Sequence, residues 1–376
     1  MGLLIKDRLG LREGAVVGLP RALLFYELYP FWRALLESLE FRLVVSGPTS
    51  REVIETGTRE AADEACFPVK AFYGHVAALR GKVDAIFLPR LVSLKRGTYT
   101  CPKMLGLPDM VRHNLGRMPR VIVADFDETK RGRGLTETGL LVARRLGRSA
   151  AQARVAVGQA LEALRAFRAG LWEGQPFEQA AGERGARAGG PAGSPSAGPG
   201  TGGRGRVRVG LVGHAYNLFD SGVNLDLVRK LAGLGCRLIS SEQLSEVEVE
   251  AESSRLPKEI FWSAGRRILA AVTRFRREES VDGIIHLVSF GCGPDSIVGE
   301  IAERETRRTS SLPYLALTVD EHTAEAGLVT RLEAFVDMLE RRQAAMGVRV
   351  ASPRAMASEA AADRSAPLGG VAEGRA

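Results

Sequence analysis

The sequence predicts an α/β protein made of two doubly wound domains, each a parallel sheet covered by helices on both faces. Three observations lead to this fold class. The 376 residues exceed the ~250–300 that one hydrophobic core usually serves. Short apolar runs alternate with longer helix-like stretches, a pattern typical of parallel sheets. A segment rich in Gly, Ala and Pro divides the chain into two halves of ordinary domain size.

The strand candidates follow one another in the same rhythm in both halves. In the first half they lie at 15–19, 41–48, 84–89 and 119–124, separated by helix-like stretches at 21–40, 51–65 and 104–114. In the second half they lie at 207–212, 236–240, 282–288 and 314–319, with helix-like stretches at 223–234, 261–275, 295–304 and 328–341. Between the halves, residues 139–172 place one apolar face at helical spacing, formed by Val157, Leu161, Leu164 and Leu171.

These patterns divide the chain into five segments. We expect an N-terminal α/β domain at 1–138, an amphipathic helical segment at 139–179, and a disordered linker at 180–206. A C-terminal α/β domain follows at 207–345, and then a disordered tail at 346–376. Ten of the 27 linker residues are Gly and three are Pro, so the linker cannot bury a core. The tail is similarly poor in large apolar residues.

Composition excludes several classes of protein. The net charge of +8 comes from 44 Arg and 8 Lys spread along the chain, without a nucleic-acid-binding motif, so we expect no nucleic-acid partner. Apolar runs are too short for a membrane helix, and the first residues lack the pattern of a secretory signal. We therefore expect a cytoplasmic protein without a membrane association. The four cysteines, none in a C-x-x-C pair, are then expected to stay reduced.

Three of the cysteines share one local context. Cys66, Cys101 and Cys292 are each followed within two residues by a proline and then by a helical pattern. Because proline suits the first turn of a helix, each cysteine is predicted just ahead of a helix N-terminus, where the helix dipole favours thiolate. Cys236 has no such context and begins a predicted buried strand, so we interpret it as structural.

Several explanations for the three cysteines are open. Three unrelated core cysteines are the simplest. A structural zinc site normally needs a fourth ligand and closely spaced pairs, a disulfide is disfavoured by the compartment, and a ferredoxin-type cluster lacks its cysteine run. An iron-sulfur cluster with three thiolates and one open or shared iron site fits three ligands best.

Polar residues after two other strand candidates are further candidates for a site. His214, with Tyr216 and Asn217, follows the strand at 207–212. Asp320, Glu321 and His322 follow the strand at 314–319, where they fit a helix cap as well as a catalytic role. In open α/β sheets ligands bind beyond the carboxyl ends of the strands, so these residues are candidate catalytic groups.

Six ordered blocks together resemble a known family. They are GLPRALLFY (18–26), DEACFPVK (63–70), CPKMLGLPD (101–109), GHAYNLFD (213–220), FGCGPDS (290–296) and DEHTAEAG (320–327). They look like the acyl-CoA dehydratase activase-related proteins of the 2-hydroxyglutaryl-CoA dehydratase D-component superfamily. The resemblance covers about residues 14–126 and 207–341.

The resemblance implies Rossmann-like domains around a 4Fe-4S-type cluster held by Cys66, Cys101 and Cys292. In the related dehydratases, an ATP-hydrolysing activator injects one low-potential electron, and a ketyl radical then eliminates water from a 2-hydroxyacyl-CoA. The branch is often encoded with the activator's ATPase domains, which this sequence lacks, so an activase in trans is the expected partner. An acyl-CoA is the candidate substrate, and a homo- or hetero-oligomer is expected.

Three functions follow from the resemblance. The first is an iron-sulfur, electron-transfer component of a dehydratase-like lyase acting on (R)-2-hydroxyacyl-CoA. The second is an ATP-dependent reductase of small molecules with a double-cubane cluster, as in other relatives. The third is a non-catalytic scaffold or maturation protein that retains the fold.

Overall fold

A computed structural model describes residues 11–130, 134–183 and 207–362, with side chains as far as residue 345. Its described part contains two four-stranded, all-parallel sheets. The first is formed by β1 (Val16–Leu19), β2 (Arg42–Val45), β3 (Ala85–Ser93) and β4 (Arg120–Asp127). The second is formed by β5 (Arg208–Gly213), β6 (Arg237–Ser240), β7 (Gly283–Ser289) and β8 (Tyr314–Val319). The predicted α/β class with two Rossmann-like parallel sheets is confirmed, because every strand candidate became a strand.

The two sheets have the same topology. The strand orders are β2-β1-β3-β4 and β6-β5-β7-β8, and all neighbours pair in parallel. In each sheet the order reverses beside the first strand, since the chain goes to one side and then returns to the other. Such a switch point opens a crevice beyond the carboxyl ends of the two central strands. The loops after β1, β3, β5 and β7 are therefore the places where a ligand site is expected.

Helices cover both sheets. In the first half they are α1 (Phe25–Ser38), α2 (Arg51–Glu60), α3 (Phe67–Leu79), α4 (Pro102–Asn114), α5 (Leu135–Arg145), α6 (Ala150–Trp172) and α7 (Phe177–Ala180). In the second half they are α8 (Ala215–Phe219), α9 (Leu227–Gly233), α10 (Glu246–Ser253), α11 (Ser263–Glu278), α12 (Gly293–Thr309) and α13 (Glu325–Ala362), with a 3-10 turn at Ser241–Gln243.

The apolar stretch at 139–172 forms two helices, where the sequence predicts one. Helix α5 ends before Gly147, whose φ of +85° stops the helix, and Ser149 begins α6 with a capping box to Gln152. The residues Val157 and Leu164 of α6 pack into the first core together with α1. The hydrophobic spacing thus identified the buried face, whereas Gly147 and the capping box at Ser149 determine where the chain breaks between the two helices.

Each half of the chain buries side chains from the other half in its own core. Phe67 and Ala71 of α3 are buried in the core of the second half, while Ala215 and Tyr216 of α8 are buried in that of the first. Lys70, also on α3, forms an ion pair with Glu321 beyond β8. Reciprocal burial of this kind fixes the orientation of the two sheets relative to each other.

A second contact across the boundary is polar and closely fitted. Thr49 donates a hydrogen bond to Asp220 (Oγ1 to Oδ2, 2.6 Å) and contacts His75 Nε2 at 2.8 Å. A Cβ added to Gly222 would lie 2.3 Å from the carbonyl oxygen of Thr49, so a side chain would not fit there. Burial lowers the pKa of His75 to about 3, which keeps this imidazole neutral in the interface.

Helices α2 and α3 cross at unusually short range. A Cβ added to Gly57 would lie 1.9 Å from the carbonyl oxygen of Lys70, and one added to Gly74 would lie 1.9 Å from that of Val53. Glycine is therefore required on both helices. The crossing positions α3, which begins directly after Cys66.

Two predicted segments lie partly outside the described residues. Of the linker at 180–206, the structure describes only 180–183, and of the tail at 346–376 it describes the backbone to 362. There α13 continues to Ala362, within the stretch for which the sequence predicts a disordered tail. The Ala-rich composition favours a helix in this stretch. Within the described ranges, no helix combines the length and apolar character needed to cross a membrane.

Candidate functional site

Three helices begin at the three cysteines singled out in the sequence. Cys66, Cys101 and Cys292 are the N-cap residues of α3, α4 and α12, and each of these helices has a proline in its first two positions. None of the three side chains caps its own helix by a hydrogen bond. The thiols are thus free to face another group, while the unpaired N–H groups of each first turn provide a positive surrounding.

The three cysteines line one cavity between the two halves, with a volume of about 380 Å³. That volume would hold on the order of ten water molecules at ~30 Å³ each. Most of the wall is apolar, and its polar or reactive members are Glu27, Cys66, Tyr99, Thr100, Cys101, Lys103, His214, Tyr216, Trp262, Ser263 and Cys292. The cavity lies where the loops after β3, β5 and β7 meet, at the carboxyl ends of the central strands.

The loop after β7 comes very close to Cys66. A Cβ added to Gly291 would lie 3.4 Å from the Cys66 Cα, and Gly291 has a φ of +77°, which favours glycine. Gly291 therefore allows the backbone before Cys292 to approach the start of α3. The close approach is what brings a cysteine of the second half to those of the first.

Burial dominates the electrostatics of Cys66. It raises the pKa of this thiol, Lys103 opposes the effect, and Cys292 and Cys101 add to the increase as neighbouring potential negative charges. At Cys66, burial therefore acts against the preference for thiolate that the helix N-terminus provides. The mutual influence of the three sulfurs also means that one shared cation would stabilise all three thiolates together.

Cys292 has an ionisable partner in His214. The His214 Nε2 lies 3.8 Å from the Cys292 Sγ and 3.3 Å from Asp295 Oδ1. Burial alone would lower the pKa of His214, but Asp295 and Cys292 outweigh it, so the pKa is raised well above its usual value. The shift favours the imidazolium form of His214, which lies between a sulfur and a carboxylate.

The carboxylate of Asp295 is buried with few partners. Among the described residues its Oδ1 is paired with His214 at 3.3 Å without ideal hydrogen-bond geometry, and its Oδ2 has no hydrogen-bond partner. The pKa of Asp295 is lowered because His214 and His286 outweigh the effect of burial. His286 Nε2 lies 3.9 Å from Asp295 Oδ1, and its Nδ1 contacts the hydroxyl of Tyr314 at 2.8 Å. Burial lowers the pKa of His286, so His214 is the cationic partner of Asp295.

His214, Cys292 and Asp295 could also hold a single metal ion. One ligand atom from each lies within 4.8 Å of the other two. The set offers one nitrogen, one sulfur and one oxygen, donors that zinc and related ions accept. This arrangement shares only Cys292 with the three cysteines.

The remaining cysteine lies away from the cavity. Cys236 precedes β6 and is buried in the core of the second half, where burial raises its pKa to about 11. It does not belong to the described lining of the cavity. This placement agrees with its interpretation as a structural residue.

The other candidate catalytic residues divide into two groups. His214 lines the cavity, whereas Asp320, Glu321 and His322 do not. Asp320 accepts hydrogen bonds from the His322 N–H (3.0 Å) and the Thr323 hydroxyl (2.7 Å), as a turn-forming residue does. Glu321 is paired with Lys70, and His322 is exposed.

Two residues of the site were not expected from the sequence. Asp295 looked like an ordinary acidic residue in the first turn of a helix, and its spacing of three residues from Cys292 was the only signal. Glu27 lies inside the helix pattern of α1, which gives no sign that its side chain faces the cavity.

A family model described as the CoA enzyme activase uncharacterised domain matches residues 16–244. The chain belongs to this family. The match covers more than half of the sequence and includes Cys66, Cys101 and His214. No curated protein matches the chain. Membership in the CoA enzyme activase family confirms the resemblance to acyl-CoA dehydratase activase-related proteins, and it connects the chain with the activation of CoA enzymes and with an activase as partner.

Proposed function

We propose that this member of the CoA enzyme activase family holds a 4Fe-4S-type cluster in the cavity and accepts low-potential electrons from an ATP-dependent activase. The observation that carries the proposal is that three N-cap cysteines from three different helices line one cavity. The donor set fits such a group, because soft thiolates are the ligands of iron-sulfur clusters.

The surroundings of the three sulfurs also suit a negatively charged cluster. Each sulfur stands at the positive end of a helix, and Lys103 and the His214 imidazolium line the same cavity. Three protein ligands leave one position of a four-iron cluster open to the cavity. When bound, the cluster would supply one-electron chemistry at that position, while the largely apolar wall would limit the access of water.

The substrate follows from the family resemblance alone. A 2-hydroxyacyl-CoA would make the protein a dehydratase-like lyase, and a small molecule would make it a reductase with a double-cubane cluster. A scaffold or maturation protein would show no ATP-dependent reduction when mixed with its activase. Iron per chain and the reduction rate with activase and ATP separate these three functions.

The experiment that tests the cluster uses anaerobic purification and chemical analysis of iron and acid-labile sulfide. We expect Cys66→Ser, Cys101→Ser and Cys292→Ser to lose most of both, because a hydroxyl is a hard ligand that is rarely ionised near neutral pH. Cys236→Ser is the matched control, with iron near the wild-type level. Loss of iron in Cys236→Ser but not in one of the other three would contradict the proposal.

A second candidate is a mononuclear metal site formed by His214, Cys292 and Asp295. It would bind metal without inorganic sulfide, and it would survive Cys66→Ser and Cys101→Ser. Asp295→Asn would remove it, whereas the cluster would remain. Cys66→Ser, Cys101→Ser and Asp295→Asn therefore distinguish the two sites with one set of metal and sulfide analyses.

A further inference from the structure

One carboxyl group faces the cavity from helix α1. Glu27 is half-buried and is the one carboxyl among the described residues that line the cavity. Its neighbours in the chain, Tyr26 and Leu28, are buried in the apolar core. An acidic side chain in such a place is costly when charged and uncompensated. Its presence therefore calls for a function.

Glu27 has no hydrogen bond or ion pair from its carboxyl to another described side chain, although charged groups surround it. Glu242, in the 3-10 turn, is a second acid that repels its charge. Arg267 of α11, Arg168 of α6 and His214 before α8 attract it. Glu27 and these four groups come from five separate parts of the chain, and of the five Glu27 and His214 line the cavity.

Arg267, one of the cations that attract the Glu27 charge, is already engaged elsewhere. Arg267 donates to the carbonyl oxygen of Leu244 at 2.6 Å, is paired with Glu246 on α10, and has its Nε 3.8 Å from Glu242 Oε2. Glu27 therefore lacks a dedicated counter-ion. A carboxyl group in that situation can change its charge without breaking an ion pair.

The ionisation of Glu27 is accordingly poised near neutral pH. Burial raises the pKa of Glu27 to about 7, the charge of Glu242 adds to the increase, and His214, Arg267 and Arg168 oppose it. A further negative charge in the cavity would raise this pKa again, since like charges disfavour ionisation.

We propose that Glu27 takes up one proton when one electron enters the cavity. This inference rests on the proposed function, in which the activase is the one-electron reductant. The electron passes from the reduced activase to the oxidised cluster, and a proton from solvent converts the Glu27 carboxylate to the carboxylic acid. The net charge of the cavity is the same before and after the step, so reduction costs less than it would with a fixed charge.

The test is the midpoint potential of the loaded full-length protein as a function of pH, measured by anaerobic redox titration. For the wild type we expect a constant potential at acid pH, where Glu27 is already protonated. Above the pKa that Glu27 has in the loaded, oxidised protein, the potential should fall as pH rises. The slope should approach 59 mV per pH unit, which is the value for one proton taken up with one electron, since a tenfold change in an equilibrium constant equals 59 mV for a one-electron couple.

Two variants make the test specific. In Glu27→Gln the potential should be independent of pH and equal to the wild-type value at acid pH, because the amide resembles the protonated acid. The control is Glu37→Gln, on the exposed side of the same helix, which should retain the wild-type slope. A flat wild-type titration, or a slope that persists in Glu27→Gln, would overturn the inference while a loaded cluster still supports the proposed function.

A second measurement does not depend on the cluster. In the iron-free protein labelled with ¹³C-carboxyl glutamate, the resonance absent from Glu27→Gln should titrate near pH 7. Titration near the ~4.3 of a free glutamate would overturn the inference. If no iron and sulfide bind to the wild type under anaerobic reconstitution, the proposed function fails and this inference fails with it.

Discussion

Replacing Gly74 with alanine tests how closely α2 and α3 cross. The new Cβ would lie 1.9 Å from the Val53 carbonyl oxygen, and real Cβ contacts are essentially never shorter than 3.0 Å, so the helices must move apart by more than 1 Å. Overpacking costs ~1–3 kcal/mol when side chains can adjust. Here the obstructing atom belongs to the backbone, so we expect a loss at the upper end, about 3 kcal/mol. Denaturant titration followed by circular dichroism measures it.

The matched control is Gly158→Ala on the exposed side of α6, where an added Cβ meets no atom within 4 Å. Alanine there should stabilise the protein by ~0.5–1 kcal/mol, because glycine is the poorer helix former. We also expect Gly74→Ala to bind less iron, since α3 carries Cys66 at its start. If Gly74→Ala is as stable as the wild type while Gly158→Ala shows its gain, the inferred close crossing is wrong.

Three further predictions concern ionisable groups. Glu27→Gln should gain stability over the wild type as pH rises from about 4.5 to about 7, because the wild-type carboxyl ionises in the unfolded chain but stays protonated in the folded one. At ~1.36 kcal/mol per pKa unit the gain reaches about 3 kcal/mol, and an equal gain at pH 4 in thermal melts would contradict this origin. Asp295→Asn should lower the pKa of His214, because burial then acts without the opposing charge of Asp295. A histidine NMR titration that finds the pKa of His214 unchanged would contradict the pairing of the two residues. In the native iron-free protein, the partly exposed Cys101 should react with thiol reagents before Cys236, because Cys236 is buried and has a pKa of about 11. Mass mapping that finds Cys236 labelled first would contradict this order and would show that the core of the second half opens readily.

The sequence predicted the fold through two local signals. Alternation of short apolar runs and helix patterns located every strand of both sheets, because parallel strands buried on both faces leave continuous apolar runs. The prolines after Cys66, Cys101 and Cys292 located three helix starts, because proline fixes the first turn. These signals need only neighbouring residues, so a single sequence carries them.

The rest of the site depends on distant residues. The break between α5 and α6 at Gly147 was not expected, because the four apolar positions that predict the helix all lie after it. The pairing of His214 with Asp295 requires the loops after β5 and β7 to meet side by side, and sequence gives the edge of the sheet but not which side chains touch. Glu27 depends on the rotation of α1 about its axis relative to the second half of the chain.

The distribution of the cysteines along the chain has a consequence for biosynthesis. Cys66 and Cys101 are 35 residues apart, whereas Cys292 follows 191 residues later, on the helix after β7. A ribosome that adds ~5–20 residues per second leaves the earlier pair without the third sulfur for about ten seconds or more. During that interval the first sheet can fold while its share of the cavity wall faces solvent. Iron delivered before Cys292 has been made would therefore meet only two ligands, and insertion is expected to follow synthesis of Cys292.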